Sequence, residues 1–169
     1  MPAAAAQPED EIWMRAAIAA ARRGLAAGQS PFGTVIVAGG AQPPHPAIVA
    51  EGHNQVWAST DPTAHAEVTV IRMACRARGS ISLAGCTLYS TCEPCPMCMA
   101  AIHWARLDRV VYGAAIADAA AAGFHELHLA AAELLTRGGS PVLWTPGCLA
   151  AECRHLFAEW QATPAARTY

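Results

Sequence analysis

Two short segments of this 169-residue chain carry side chains that could share one ion. His65-Ala66-Glu67 is followed further along by Cys95-Pro96-Met97-Cys98. Residues three apart on a helix share a face, so Cys95 and Cys98 can grip a metal together. Pro94 suits the first turn of such a helix, where its missing N–H costs nothing. The partial positive charge at a helix N-terminus lowers a thiol pKa and favours the thiolates a metal needs. His65, at the start of an earlier helix, would be a third ligand. Two thiolates and an imidazole suit zinc better than a harder cation. Three protein ligands leave the fourth tetrahedral position open to water, the arrangement of a catalytic zinc site. Glu67, two residues from a ligand, is poorly placed to bind the ion as well and better placed beside that water as a proton shuttle. The alternative is a closed structural site completed by Cys92, which also forms a C-x-x-C with Cys95. Against it stands Glu67, since a closed site has no use for a shuttle.

The elements that must position these residues are legible in the pattern around them. Alanines with Ile12, Ile18 and Leu25 predict a helix over 10–27, stopped at Gly28. Strands are expected at 32–37 and 47–50, joined by a turn that Gly39-Gly40 and Pro43-Pro44-His45-Pro46 would force. Helices follow at 64–78, 94–105, 127–136 and 149–160, with strands at 86–90, 109–112 and 142–144. One hairpin and then alternating strands and helices imply an α/β fold. It is expected to be a three-layer α/β/α sandwich around a central five-stranded mixed sheet. Residues 1–160 read as a single domain and 161–169 as a C-terminal arm.

Composition removes several classes of function. Hydrophobic residues make up 54% and charged residues 14%, the opposite of a disordered chain. Nothing approaches the roughly 18 consecutive apolar residues of a membrane span. All 11 basic residues are arginines, set against 13 acids for a net charge of −2, so the electrostatic footprint of a nucleic-acid binder is missing. The first residues lack a basic segment followed by a long apolar one, so no signal peptide is read there and a cytoplasmic location is expected. There, seven cysteines are better read as metal ligands and buried thiols than as disulfides. Two are assigned to the metal. Cys75, Cys86, Cys148 and Cys153 are expected in the core, Cys92 at a strand end, and His103, His128 and His155 on helix surfaces or packed.

The H-x-E and P-C-x-x-C segments together form the known signature of zinc deaminases. The likeness extends to Pro31-Phe32-Gly33, Asn54, the run from Asp61 to Glu67, and the run from Cys92 to Cys98. It continues through Trp104-Ala105-Arg106, Asp118-Ala119-Ala120, Ala122-Gly123-Phe124 and the terminal Tyr169. On these residues the chain resembles the cytidine/deoxycytidylate deaminase superfamily, and within it the small zinc-dependent guanine deaminases of bacteria. The resemblance implies a cytidine deaminase-like fold and one zinc per subunit. It implies that Asn54 hydrogen-bonds a purine, that Phe32, Ala66 and Trp104 help form its pocket, and that Glu126 assists proton transfer beside Glu67. It also implies a homodimer that exchanges C-terminal segments, with Tyr169 closing a partner's site. The plainer readings are a turn residue for Asn54, a core residue for Trp104, a helix-terminal acid for Glu126 and a loose chain end for Tyr169.

The expected reaction is hydrolysis of guanine to xanthine and ammonia. Zinc would lower the pKa of a water from about 15.7 to roughly 7. Glu67 would carry the proton to N3 as the oxygen adds at C2, and Glu126 would help the amine leave as ammonia. Other readings are a nucleoside deaminase of guanosine or cytidine type, and a deaminase of a guanine-like triazine. A tRNA adenosine deaminase is disfavoured because phosphate contacts need cations. Of a different class is a non-catalytic zinc-binding module.

Overall fold

Successive residues of a strand face opposite sides of its sheet, and the buried side chains of this protein separate accordingly. The computed structural model describes residues 3–39 and 47–169. Its strands are β1 (Gly33–Ala38), β2 (Ala47–His53), β3 (Cys86–Cys92), β4 (Arg109–Ala114) and β5 (Leu143–Thr145). Its helices are α1 (Asp10–Ala26), α2 (Val56–Ser59), α3 (Ala66–Arg78), α4 (Pro96–Trp104), α5 (Ile116–Ala121), α6 (Ala131–Arg137) and α7 (Ala150–Gln161). The strands form one sheet in the order β2-β1-β3-β4-β5. β1 runs antiparallel to β2 and β3, while β4 is parallel to β3 and β5.

Val35, Val37, Tyr89 and Val111 face one side of the sheet and pack with Met14 and Ile18 of α1 and Leu156 and Phe157 of α7. Ile36, Leu88 and Val110 face the other side, against Val70 and Ile71 of α3, Met99 and Ile102 of α4 and Leu135 of α6. This is the expected three-layer sandwich around a five-stranded mixed sheet. At the rim where β4 begins, Arg109 and Asp10 form a buried pair with two contacts of 2.8 Å. The Tyr89 hydroxyl donates to the same carboxylate at 3.1 Å.

Several expected boundaries move. The residue before a proline is pushed out of the helical region, so Cys95, preceding Pro96, is extended (φ −62°, ψ 166°) and α4 starts at Pro96 instead of Pro94. Cys95 is the residue that caps this helix, and Pro94 lies in the turn before it. The helix expected from 127 begins only at Ala131, which leaves His128 on an exposed loop. The short helices α2 and α5 had no expected counterpart. β1 and β2 pair as a hairpin would, but beyond Gly39 the expected turn lies outside the described residues. Cys86 and Cys153 are buried, whereas Cys75 and Cys148 are only half-buried.

Candidate active site

One rim of the sheet gathers the reactive residues. β2 ends at His53 and delivers Asn54, whose backbone N–H donates to the Phe32 carbonyl just ahead of β1 at 3.0 Å. Gly33, next along, lets α1 pack closely on the start of β1, since a Cβ there would collide with the carbonyl of Ala17. β3 ends at Cys92, and the turn after it leads into α4. His65 caps α3 and Cys95 caps α4, both in extended conformations, and neither side chain caps its own helix. Each is turned toward the other instead.

The His65 Nδ1 atom stands 3.6 Å from Cys95 Sγ and 3.5 Å from Cys98 Sγ. With Zn–S near 2.3 Å and Zn–N near 2.0–2.1 Å, tetrahedral geometry puts sulfur and nitrogen ligands about 3.6 Å apart. The donor atoms of these three residues all lie within 4.8 Å of one another, so the set fits zinc in both chemistry and spacing. Cys92 does not join it; its thiol points to the Ala115 carbonyl, 3.6 Å away. The closed four-ligand site is therefore not formed.

Charge is shared unequally among these groups. The hydrogen bond from Cys98 pulls the Cys95 thiol down to about 4 against the cost of burial, with help from His65. That hydrogen bond and burial push Cys98 well up. Burial opposes the His65 imidazolium, but the bond to Cys95 and the charge of Glu67 outweigh it, and its pKa is raised. Glu67, buried in the first turn of α3, has its carboxyl raised by burial and by the nearby Cys95 charge. Ser90 of β3 donates to its Oε1 at 3.0 Å, and the Cys98 thiol approaches Oε2 at 3.5 Å. The carboxylate is thus held with one oxygen anchored and the other on the metal side.

Phe32, Asn54, His65, Glu67, Cys95, Glu126 and Tyr169 line a common cleft with Cys92 and Glu93, with about 20 Å³ open within it. Asn54 is fully buried. Its Oδ1 accepts the Val56 N–H at 3.1 Å, and its Nδ2 donates to the Tyr169 hydroxyl at 2.6 Å. The Tyr169 ring stands among His65, Phe124 and Trp57, with centroids 5.6, 5.8 and 6.1 Å away. Arg167 covers the Trp57 ring, its guanidinium carbon 3.8 Å from the centroid. Glu126, on the loop between α5 and α6, has its carboxyl raised by burial and by the Cys95 charge.

Two expected residues are not brought into this cleft. Ala66 is buried at the start of α3 between His65 and Glu67 but does not line it. Trp104 ends α4, about 9 Å along the axis from Cys98 at 1.5 Å per residue. It is 78% exposed, in an apolar groove with Ile81 and Leu143. Not expected from the sequence are Glu93 as a cleft residue, Ser90 as the anchor of Glu67, and Trp57 beneath Arg167, while Cys92 lines the cleft without joining the ligands. For Ser90 a signal existed, because strand alternation puts it on the face of β3 that carries Leu88, whereas Cys92 at the strand end packs with Tyr89 and Ala114 on the other face.

The chain belongs to the cytidine and deoxycytidylate deaminase family, whose zinc-binding region matches residues 7–114. It is 51% identical over 117 residues to a guanine deaminase of Bacillus subtilis, covering 69% of this chain and 71% of that one. The crystal structure of a guanine deaminase from that organism aligns with a TM-score of 0.63 over 69% of this chain and 71% of that one, at 51% identity. A tRNA-specific adenosine deaminase of Bacillus subtilis is 42% identical over 106 residues, 63% of this chain and 62% of its own length. A structure from work on tRNA:A34 deaminases aligns with a TM-score of 0.72 at 31% identity, over 86% of this chain and 98% of that one. The family region contains the three ligand residues and Glu67 but stops short of Glu126 and Tyr169. No helix among the described residues is long and apolar enough to cross a membrane.

Proposed function

We propose that the protein deaminates guanine, consuming water and releasing xanthine and ammonia. The observation that carries this reading is the closure of a small cleft by Tyr169, hydrogen-bonded to Asn54 over the carboxyl of Glu67. With Tyr169 seated, only about 20 Å³ of the cleft stands open, so a small free base asks for less rearrangement than a nucleoside or a polynucleotide. The 51% identity to a guanine deaminase supports the same choice.

In this mechanism His65, Cys95 and Cys98 hold zinc. When bound, the ion supplies a Lewis acid that makes water a nucleophile near neutral pH. Glu67, steadied by Ser90, takes the proton from the attacking water and delivers it to N3 as the oxygen adds at C2. Asn54 has one amide hydrogen committed to Tyr169 and a second free for an acceptor on the purine. Phe32 and Tyr169 pack against the base and keep bulk water out. Glu126, held protonated more readily by its buried setting, donates to the departing amine.

In the same reading the protein is a cytoplasmic homodimer; against the expected exchange of arms, Tyr169 covers the cleft of its own chain through Asn54, so the site closes without a partner's arm. Seven unpaired cysteines support a reducing compartment, and the exposed apolar groove at Trp104 supports contact with a second copy. A tRNA substrate is the second reading, favoured by the identity to tRNA-specific adenosine deaminases; the arm over the cleft and the lysine-free sequence weigh against it. Ammonia release from guanine, guanosine, adenine, cytosine and cytidine, with filter binding of tRNA, tests both. Guanine is expected to react fastest, with no retention of tRNA. Zinc-loaded protein that releases ammonia from no substrate would be a binding module instead.

A further inference from the structure

Glu93 sits between the buried Cys92 and Pro94, two residues ahead of a metal ligand, and has no place in the chemistry above. Its side chain nonetheless makes two long-range contacts. Oε2 accepts the backbone N–H of Ile116 at 3.2 Å, and Oε1 accepts that of Ala131 at 2.8 Å. These are the first residues of α5 and α6, whose capping positions are Ala115 and Ala130. The first N–H groups of a helix have no partner within it, and an alanine offers no side-chain acceptor to satisfy them. One carboxylate does so for two helices at once, where its negative charge also meets both positive helix ends.

The chain between those two points is α5 and the loop that carries Glu126. Its middle is fastened by Phe124, buried against Phe32 and Trp160 with both ring centroids at 4.9 Å. Its two ends are fastened by Glu93. The backbone of Glu93 is itself tied to the end of β4, its N–H donating to the Ala114 carbonyl at 2.8 Å. A residue of the metal-ligand turn thus grips both ends of the segment that presents the second acid. We propose that Glu93 is a positioning residue that fixes Glu126 relative to the metal ligands, so that the two halves of the site move as one unit. This rests on the deaminase reading only for the role of Glu126, not for the attachment.

The test compares Glu93→Ala, Glu93→Gln, Glu126→Gln and the double variant Glu93→Ala/Glu126→Gln in the zinc-loaded full chain. Amide hydrogen exchange at Ile116 and Ala131 should be at least roughly tenfold faster in Glu93→Ala, as expected for losing hydrogen bonds to a charged group. Glu93→Gln, which keeps one carbonyl acceptor, should be intermediate. Unchanged exchange at both amides overturns the proposal. A small displacement of a catalytic group can cost about 10²-fold, so kcat in Glu93→Ala should fall roughly 10- to 100-fold with KM and zinc content nearly unchanged. The double variant should then be no slower than Glu126→Gln alone. Losses that multiply would mean Glu93 acts independently of Glu126 and would overturn the assignment. Should Glu93→Ala fail to fold, Glu93→Gln carries both measurements. Activity is read on whichever base the wild type deaminates. A wild type silent on guanine would count against the substrate reading while the exchange data still decide the attachment.

Discussion

Replacing Glu67 by glutamine separates proton transfer from every other property of the site. The substitution preserves shape, because the glutamine carbonyl can accept the Ser90 hydroxyl that now donates to Oε1 at 3.0 Å. What disappears is the exchangeable carboxyl proton. General acid–base catalysis contributes roughly 10²–10⁴-fold, and Glu67 is used both to take a proton and to deliver it, so the upper end applies. A loss of about 10⁴-fold in kcat corresponds to about 5 kcal/mol of transition-state stabilisation. Stability should move the other way. Burial raises the Glu67 pKa above its ordinary value of 4.5, so the folded state binds the proton more tightly than the unfolded state. Ionised Glu67 therefore weakens the metal-free fold as pH rises through and above that value. The neutral amide removes this penalty, and metal-free Glu67→Gln should melt at or above the wild-type temperature at pH 7. Ammonia release, zinc content by mass spectrometry and thermal melting together read the outcome. Turnover within tenfold of wild type, or zinc lost in parallel with activity, would refute the shuttle role.

Four further outcomes follow from the structure. Cys98→Ala should abolish zinc retention and turnover together, since two remaining ligands make a poor zinc site; metal content after dialysis checks this. Tyr169→Phe removes only the 2.6 Å hydrogen bond to Asn54, worth about 0.5–1.5 kcal/mol, and should raise KM by roughly two- to tenfold. Removing residues 163–169 should raise KM further or stop turnover without lowering the melting temperature of the body. Asp10→Asn leaves the buried Arg109 without its counter-charge, which should cost roughly 3–5 kcal/mol in denaturant unfolding. Although burial works against the Asp10 carboxylate, Arg109 holds its pKa below 3.8. Its contribution is present above pH 3.8 and fades as pH falls through the lowered value, a loss Asp10→Asn should not show.

The metal ligands were readable because a C-x-x-C and an H-x-E confine their side chains to short stretches of backbone. The sheet was readable because its strands are runs of apolar residues between clear breaks. What stayed hidden involves partners far apart in the chain. Nothing near Glu93 signals that Ile116 and Ala131 will arrive beside it, and nothing near Trp57 announces Arg167. α5 escaped notice because a short alanine-rich segment has no polar face to set a period, and its cap is supplied from another part of the chain. Trp104 shows the reverse failure. A motif residue on the ligand helix invites a role in the cleft, yet the helical rise carries it past the cleft and out to solvent.

The strand directions separate the molecule into a reactive rim and a distant one. Asn54, Cys92 and the residues leading into β1 lie at one edge of the sheet, whereas the connections into β3, β4 and β5 turn at the opposite edge. Those distant connections carry the exposed groove of Ile81, Trp104 and Leu143, so a second copy seated there would leave the reactive edge open to substrate.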